Sequence, residues 1–264
     1  MITFLIGLAI LLIGGILYGR FVEKIFGPDD RPTPAVEIND GVDYVPMKER
    51  KNALIELLNI AGTGPILGPI QGILFGPIAF ILIPIGCVLG GAVHDYLTGM
   101  ISIRSGGKQM PALIQDHLGS KVYKVYNIFV IFLMILVGAV FIYTPGDLIV
   151  GSLLKQQSVV NNPVVWLVYG CIFAYYLAAT LFPIDKIIGK IYPIFGIILL
   201  LSAVGIFFGL FVRGYHLTNL SSTNWMGVHP NKVPLLPVFF VTVACGIVSG
   251  FHSTQATLIG RTVS

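Results

Sequence analysis

His94 and Asp95 stand side by side inside a stretch that is otherwise apolar. An ionisable residue within a membrane span costs on the order of 3 kcal/mol on insertion scales, so such a pair is a candidate for proton relay or for coupling to H+ or Na+. The bland reading is a position near the interface, where water makes charge inexpensive. The pair lies about 13 Å along a helix from Arg104 at 1.5 Å per residue, neither central nor superficial. Histidine is the residue type that changes charge near neutral pH.

Two further clusters have the chemistry of a solute site. In the first, Ile60-Ala61-Gly62-Thr63-Gly64-Pro65 is followed by Gly68-Pro69, so two Gly-Pro steps fall within one apolar segment. Proline in a helix interior lacks the amide donor and displaces its predecessor from helical angles, so a break is expected here. Freed backbone groups in hydrocarbon are tolerated where they line a cavity, and half-helix amino ends favour anions such as a carboxylate. Gly62, Thr63, Gly64 and Pro65 are therefore candidate substrate-binding residues; close helix packing by small residues is the structural alternative. The second cluster is Ser249-Gly250-Phe251-His252-Ser253-Thr254-Gln255. Gly250 permits unwinding and His252 adds a titratable group, so Ser249, Gly250, Phe251, His252 and Ser253 are the matching candidates. The alternative is a helix merely bent by hydroxyls bonding back to its own carbonyls. Glu56, close after Lys51, reads as a snorkelling or paired structural carboxylate.

Known catalytic spacings are absent: there is no H-E-x-x-H, G-x-S-x-G or complete Walker loop, and the first glycine cluster misses G-x-G-x-x-G. Intramembrane catalysis is thus a remote alternative, and the protein is expected not to be an enzyme. Cys87, Cys171 and Cys245 are odd in number and dispersed in apolar spans, as small core residues would be. His94, Asp95 and His252 could bind zinc only if folded together, and no spacing demands it. Neither a metal nor a cofactor is expected.

The elements that must position these residues are membrane helices. The chain of 264 residues is 55% hydrophobic and 11% charged, with mean hydropathy +0.88, a composition of multi-span membrane proteins. Spans are expected at Ile2 to Val22, Ala53 to Gly76 (broken), Pro77 to Ile103, Tyr123 to Tyr143 ended by Thr144-Pro145-Gly146-Asp147, Pro163 to Phe182, Ile191 to Val212, and Val233 to Gly260 (broken). The first lacks a basic n-region and a cleavage site, so it reads as a retained helix. A proline-broken polar loop runs from Glu23 to Lys51, and Met110 to Leu118 has the spacing of a short interfacial helix.

Of the 16 lysines and arginines, thirteen fall on one side of this layout and only Lys155, Arg213 and Lys232 on the other. The positive-inside rule then places the N-terminus outside and the C-terminus in the cytoplasm. The basic residues flank spans and form no aromatic-interleaved patch, so no nucleic-acid partner is expected.

Five spans run from Ala53 to Val212 before the second broken helix begins. That rhythm fits transporters built from inverted five-helix repeats, each opening on a discontinuous helix, and the charge-derived topology gives the two breaks opposite orientation. The organisation expected is all-α and LeuT-like. It comprises an extra helix (1–22), a cytoplasmic loop (23–52), the first five-helix repeat (53–212), an extracytoplasmic loop (213–232) and the broken first helix of a second repeat (233–264).

The chain also resembles the carbon starvation protein A family of peptide and pyruvate transporters, within the amino acid, polyamine and organocation superfamily. The resemblance rests on Asp43-Tyr44-Val45-Pro46, Ile60 to Pro65 with Gly68-Pro69, Gly90-Gly91-Ala92-Val93-His94-Asp95-Tyr96, Ser105-Gly106-Gly107-Lys108 and Ser249-Gly250-Phe251-His252. It implies secondary transport of small peptides, amino acids or pyruvate, as ion-coupled symport, across a bacterial inner membrane by alternating access. Two departures stand out. Ile55 and Glu56 occupy the positions of a family histidine pair, whose roles do not carry over. The family's chains also continue beyond the second broken helix, so a fragment, or a half-transporter completed by a second subunit or homo-oligomer, is the alternative expectation.

Overall fold

The computed structural model describes residues 1–181 and 185–264, with side chains for 1–181 and 194–264. The expected span end at Phe182 and the side chains of Lys186 and Lys190 lie outside the described residues. Helices account for the described architecture: α1 (Ile2–Phe26), α2 (Pro34–Ile38), α3 (Glu49–Ile60), α4 (Thr63–Ile73), α5 (Ala79–Arg104), α6 (Met110–Leu153), α7 (Pro163–Leu181), α8 (Asp185–Val212), α9 (Leu235–Ile247) and α10 (His252–Arg261). Among the described residues the extended pairing is a single parallel bridge between Met47 and Val263. Five helices, α1, α5, α6, α7 and the Ile194–Val212 part of α8, are long and apolar enough to cross a membrane. The pairs α3/α4 and α9/α10 qualify as two further spans, bent by 55° and 40°. The described residues thus carry five candidate spans, or seven when each bent pair is counted as one.

The chain divides into two compact units, residues 1–124 with 200–264, and residues 125–199. In the second, α6 runs on through Pro145 to Leu153, where the sequence suggested an end at Thr144 to Asp147. Pro145 cannot donate to the carbonyl of Phe141 one turn earlier. The Tyr176 hydroxyl of α7 donates to that carbonyl at 3.1 Å instead, so the helix continues with its backbone satisfied. Cys171 on α7 is exposed and not a core residue, because α7 is apolar all round.

In the first unit, the expected interfacial helix is set off by Gly119, whose φ of 82° is left-handed and interrupts α6. The two bent spans lie side by side and antiparallel. Gly68 faces Cys245, and Gly72 faces Thr242 and Val243; beyond the breaks, Asn52 accepts a hydrogen bond from Thr262 at 2.8 Å. Small residues let α4 and α9 approach closely, as expected for helices packed in hydrocarbon. Next to this contact is a buried core of Phe75, Ala79, Phe239 and Val243. Its end is closed by the Phe75 carbonyl accepting from the Gly227 amide at 2.6 Å.

At the other end of the pair, two motifs that looked unconnected in sequence converge on Arg261. Its guanidinium donates to the Gly107 carbonyl at 2.9 Å, lies 5.1 Å over the Tyr44 ring and is 3.9 Å from Asp43. The Tyr44 hydroxyl donates to the Gly106 carbonyl at 2.9 Å. The amides of Val45 and Met47 donate to the carbonyls of Arg261 and Thr262 at 3.1 and 2.9 Å.

Candidate functional site

The first break is two residues of backbone. Ala61 (ψ 50°) and Gly62 (ψ −176°) leave helical angles, and α4 starts at Thr63. Sequence reasoning put the disruption at both Gly-Pro steps; the structure moves it upstream. Pro65 sits in the first turn of α4, where an amide would have no helical partner in any case, so it marks the restart. Pro69 lies inside α4 without breaking it. Its ring fills the space over Gly246 of α9.

The second break spans Val248 to Phe251, with Val248 extended (φ −136°, ψ 126°). Ser249 is buried. Its hydroxyl oxygen accepts from the amide of His252 at 3.3 Å, and its carbonyl accepts from Ser253 at 2.9 Å. The serine therefore helps to start α10, in the manner of an amino-terminal cap. Gly250 lies within this break, adopts no left-handed conformation and has open space where a side chain would begin. The hydroxyls of Ser253 and Thr254 donate to carbonyls three residues back, those of Gly250 and Phe251, both at 2.8 Å.

Because the two spans are antiparallel and their facing residues keep register on both sides, the breaks come to the same level. Gly62, Thr63, Gly64 and Pro65 of one span thus neighbour the level of Ser249 to Ser253 of the other. His252 projects from that level toward α5 and α3. Its Nε2 lies 3.2 Å from Asp95 Oδ1 and its Nδ1 4.0 Å from Glu56 Oε2. Asp95 Oδ1 is also 2.8 Å from His94 Nδ1. The imidazole is enclosed, its side chain 4% exposed, between carboxylates that are 18% (Glu56) and 40% (Asp95) exposed. Neither ring nitrogen attains full hydrogen-bond geometry. His94 and Asp95, 158 and 157 residues before His252 in the chain, therefore form one cluster with the second break.

Glu56 is the member that sequence reasoning left out as structural. The signal that could have found it is its place: on the half-helix before the first break, it is the carboxylate that an antiparallel partner must meet. Among the described residues no group of three His, Cys, Asp or Glu is placed to hold a metal ion. Cavities of about 540 Å³, beside Pro77, Phe80, His216 and Asn224, and about 500 Å³, beside Asp29, Arg31 and Arg104, lie away from the breaks. A smaller one of about 250 Å³ reaches Glu56.

Comparison with known proteins gives this arrangement a family. Residues 1–204 match the family described as carbon starvation protein CstA. A Haemophilus influenzae protein described as an uncharacterized membrane protein is 41% identical over 99% of this chain and 82% of its own length. The peptide transporter CstA of Escherichia coli is 27% identical over 92% of the chain and 43% of its own length. That of Bacillus subtilis is 40% identical over 42% of the chain and 19% of its own length. The chain thus spans less than half the length of these two peptide transporters. No solved structure matches it. With the first break and the His94-Asp95 pair inside the matched residues, the chain belongs to the carbon starvation protein CstA family.

Proposed function

We propose that this membrane protein serves the secondary transport of a small polar solute, a peptide, amino acid or pyruvate, by alternating access, in a bacterial inner membrane. The observation that carries this reading is the side-by-side placement of two broken helices with their breaks at one level. Discontinuous helices of this kind supply solute and ion sites near the bilayer midplane. The antiparallel course of the pair supports an inverted relation between residues 53–212 and a second repeat opening at 233. The E. coli and B. subtilis relatives named as peptide transporters support the solute class. The charge distribution supports the N-terminus outside, with Arg261 and the loop before α3 in the cytoplasm.

In this reading Gly62, Thr63, Gly64 and Pro65 with Ser249, Gly250, Phe251, His252 and Ser253 surround the solute. His94 and Asp95 couple its movement to H+ or Na+, and the contact of Asp95 with His252 links the coupling groups to the second break. Uptake of labelled pyruvate and dipeptides into proteoliposomes, with and without a proton or sodium gradient, tests it. Gradient-dependent accumulation is expected; uptake of none of these probes under any gradient overturns it. Asp95→Asn is expected to abolish gradient-driven accumulation while leaving equilibrium binding within about twofold, since an amide keeps the shape but not the charge.

A further inference from the structure

Glu56 stands on α3 ahead of the first break, its side chain 18% exposed. It lines the cavity of about 250 Å³ together with Met47, Glu49, Asn52, Ile259 and Val263. Met47 and Val263 belong to the end of the bent pair that carries Arg261 and the loop before α3. From this cavity a line of titratable groups leads inward: Glu56 on α3, then His252 on α10 at 4.0 Å, then Asp95 on α5 at 3.2 Å, with His94 beside it. Glu49 is the further ionisable group on the cavity wall. The enclosed imidazole thus has one nitrogen directed to each of two carboxylates, and each carboxylate is itself partly exposed.

We propose that Glu56 is the proton-exchange group of this protein on the side of the Arg261 end, and that His252 passes protons between Glu56 and Asp95. Glu56 gives its carboxyl proton to Nδ1 of neutral His252 while the proton on Nε2 leaves for Asp95 Oδ1. Glu56 ends as a carboxylate and Asp95 as the acid, and the imidazole is neutral before and after with its tautomer exchanged. The hop needs the 4.0 Å separation to close to hydrogen-bond distance, which rotation of the long Glu56 side chain accomplishes. Reverse transfer along the same line restores the first tautomer. The use of this exchange in coupling rests on the transport reading above; the exchange itself does not.

Infrared pH titration of the full chain in bilayers tests the proposal without any transported solute. A protonated-carboxyl band is expected that Glu56→Gln removes and Glu56→Asp retains. Its midpoint is expected to move by at least about half a pH unit in both His252→Asn and Asp95→Asn, because groups sharing a proton titrate as a unit. A water-soluble carbodiimide should modify Glu56 several-fold faster from the face bearing Arg261 than from the opposite one, read by peptide mass spectrometry in vesicles of each orientation. A band indifferent to Glu56→Gln, a midpoint unmoved by Asp95→Asn, or equal modification from both faces overturns it. Loss of uptake in the transport assay would count against the transport reading alone, because neither measurement here depends on uptake.

Discussion

His252 is held by one small contact that starts its helix. The Ser249 hydroxyl oxygen accepts the His252 amide at 3.3 Å in a buried position, and replacing such a cap with alanine costs about 1 kcal/mol. Ser249→Ala is accordingly expected to lower thermal stability in detergent by an amount of that order, measured by a melting curve. It should also loosen the Asp95 contact, because the ring is aimed by the first turn of α10. A melting temperature unchanged from wild type would show that the break is held by packing alone. The pair His94-Asp95 could be picked out in the sequence by its cost in hydrocarbon. Its partners could not, because His252 and Glu56 reach it from other helices.

At the scale of elements, the α4/α9 contact decides how much each glycine matters. A methyl group on Gly68 would lie 2.8 Å from both Cys245 Cβ and the Thr242 carbonyl oxygen, whereas one on Gly64 would meet Cys245 at an ordinary 3.9 Å. Forcing extra atoms into such a contact costs typically 1–3 kcal/mol, here about 2 kcal/mol. Gly68→Ala should therefore destabilise strongly and Gly64→Ala by less than about 0.5 kcal/mol on packing grounds. Equal melting temperatures for the two variants would contradict the closeness of this helix pair. The Gly-Pro spacing announced a break but misplaced it, because proline disrupts a helix interior and is harmless in a first turn. Pro145 shows the complement: a hydroxyl from a neighbouring helix restored the lost partner, which no local rule anticipates.

For the whole first unit, the junction at Arg261 ties the loop before α3, the glycine turn after α5 and the end of α10 together. Consecutive left-handed glycines at 106 and 107 (φ 73° and 75°) shape that turn, and a side chain at Gly107 would collide with Tyr44, 2.6 Å away. Arg261→Ala is expected to speed amide exchange of Val45 and Met47 about tenfold, the loss of one hydrogen bond with a cation–π contact. Unchanged protection would show that the bridge stands without the guanidinium. The same segment should respond to acid. The Asp40 carboxylate accepts from the amides of Tyr44, Val42 and Asp43, and these bonds, Tyr44's foremost, hold it below the usual carboxylate range. A lowered value means that the ordering is present above the unfolded carboxyl's 3.8 and is lost as pH falls through the folded value. Exchange protection at Val42 to Tyr44 should therefore drop below about pH 4, and Asp40→Asn should flatten that dependence.

The sequence by itself determined the membrane class, the apolar stretches, the two breaks and the candidate residues around them. These follow from composition, proline chemistry and the length that a bilayer demands, all properties of contiguous residues. Only the tertiary structure decided that the breaks lie level on antiparallel neighbours, that Glu56 and Asp95 flank one buried imidazole, and that Asp43 to Met47 and Gly106-Gly107 meet at Arg261. Those are contacts between segments up to about 200 residues apart. In a uniformly apolar chain the hydrophobic pattern says that helices span but not which faces meet, and helix pairing is settled by close fits such as Gly68 on Cys245.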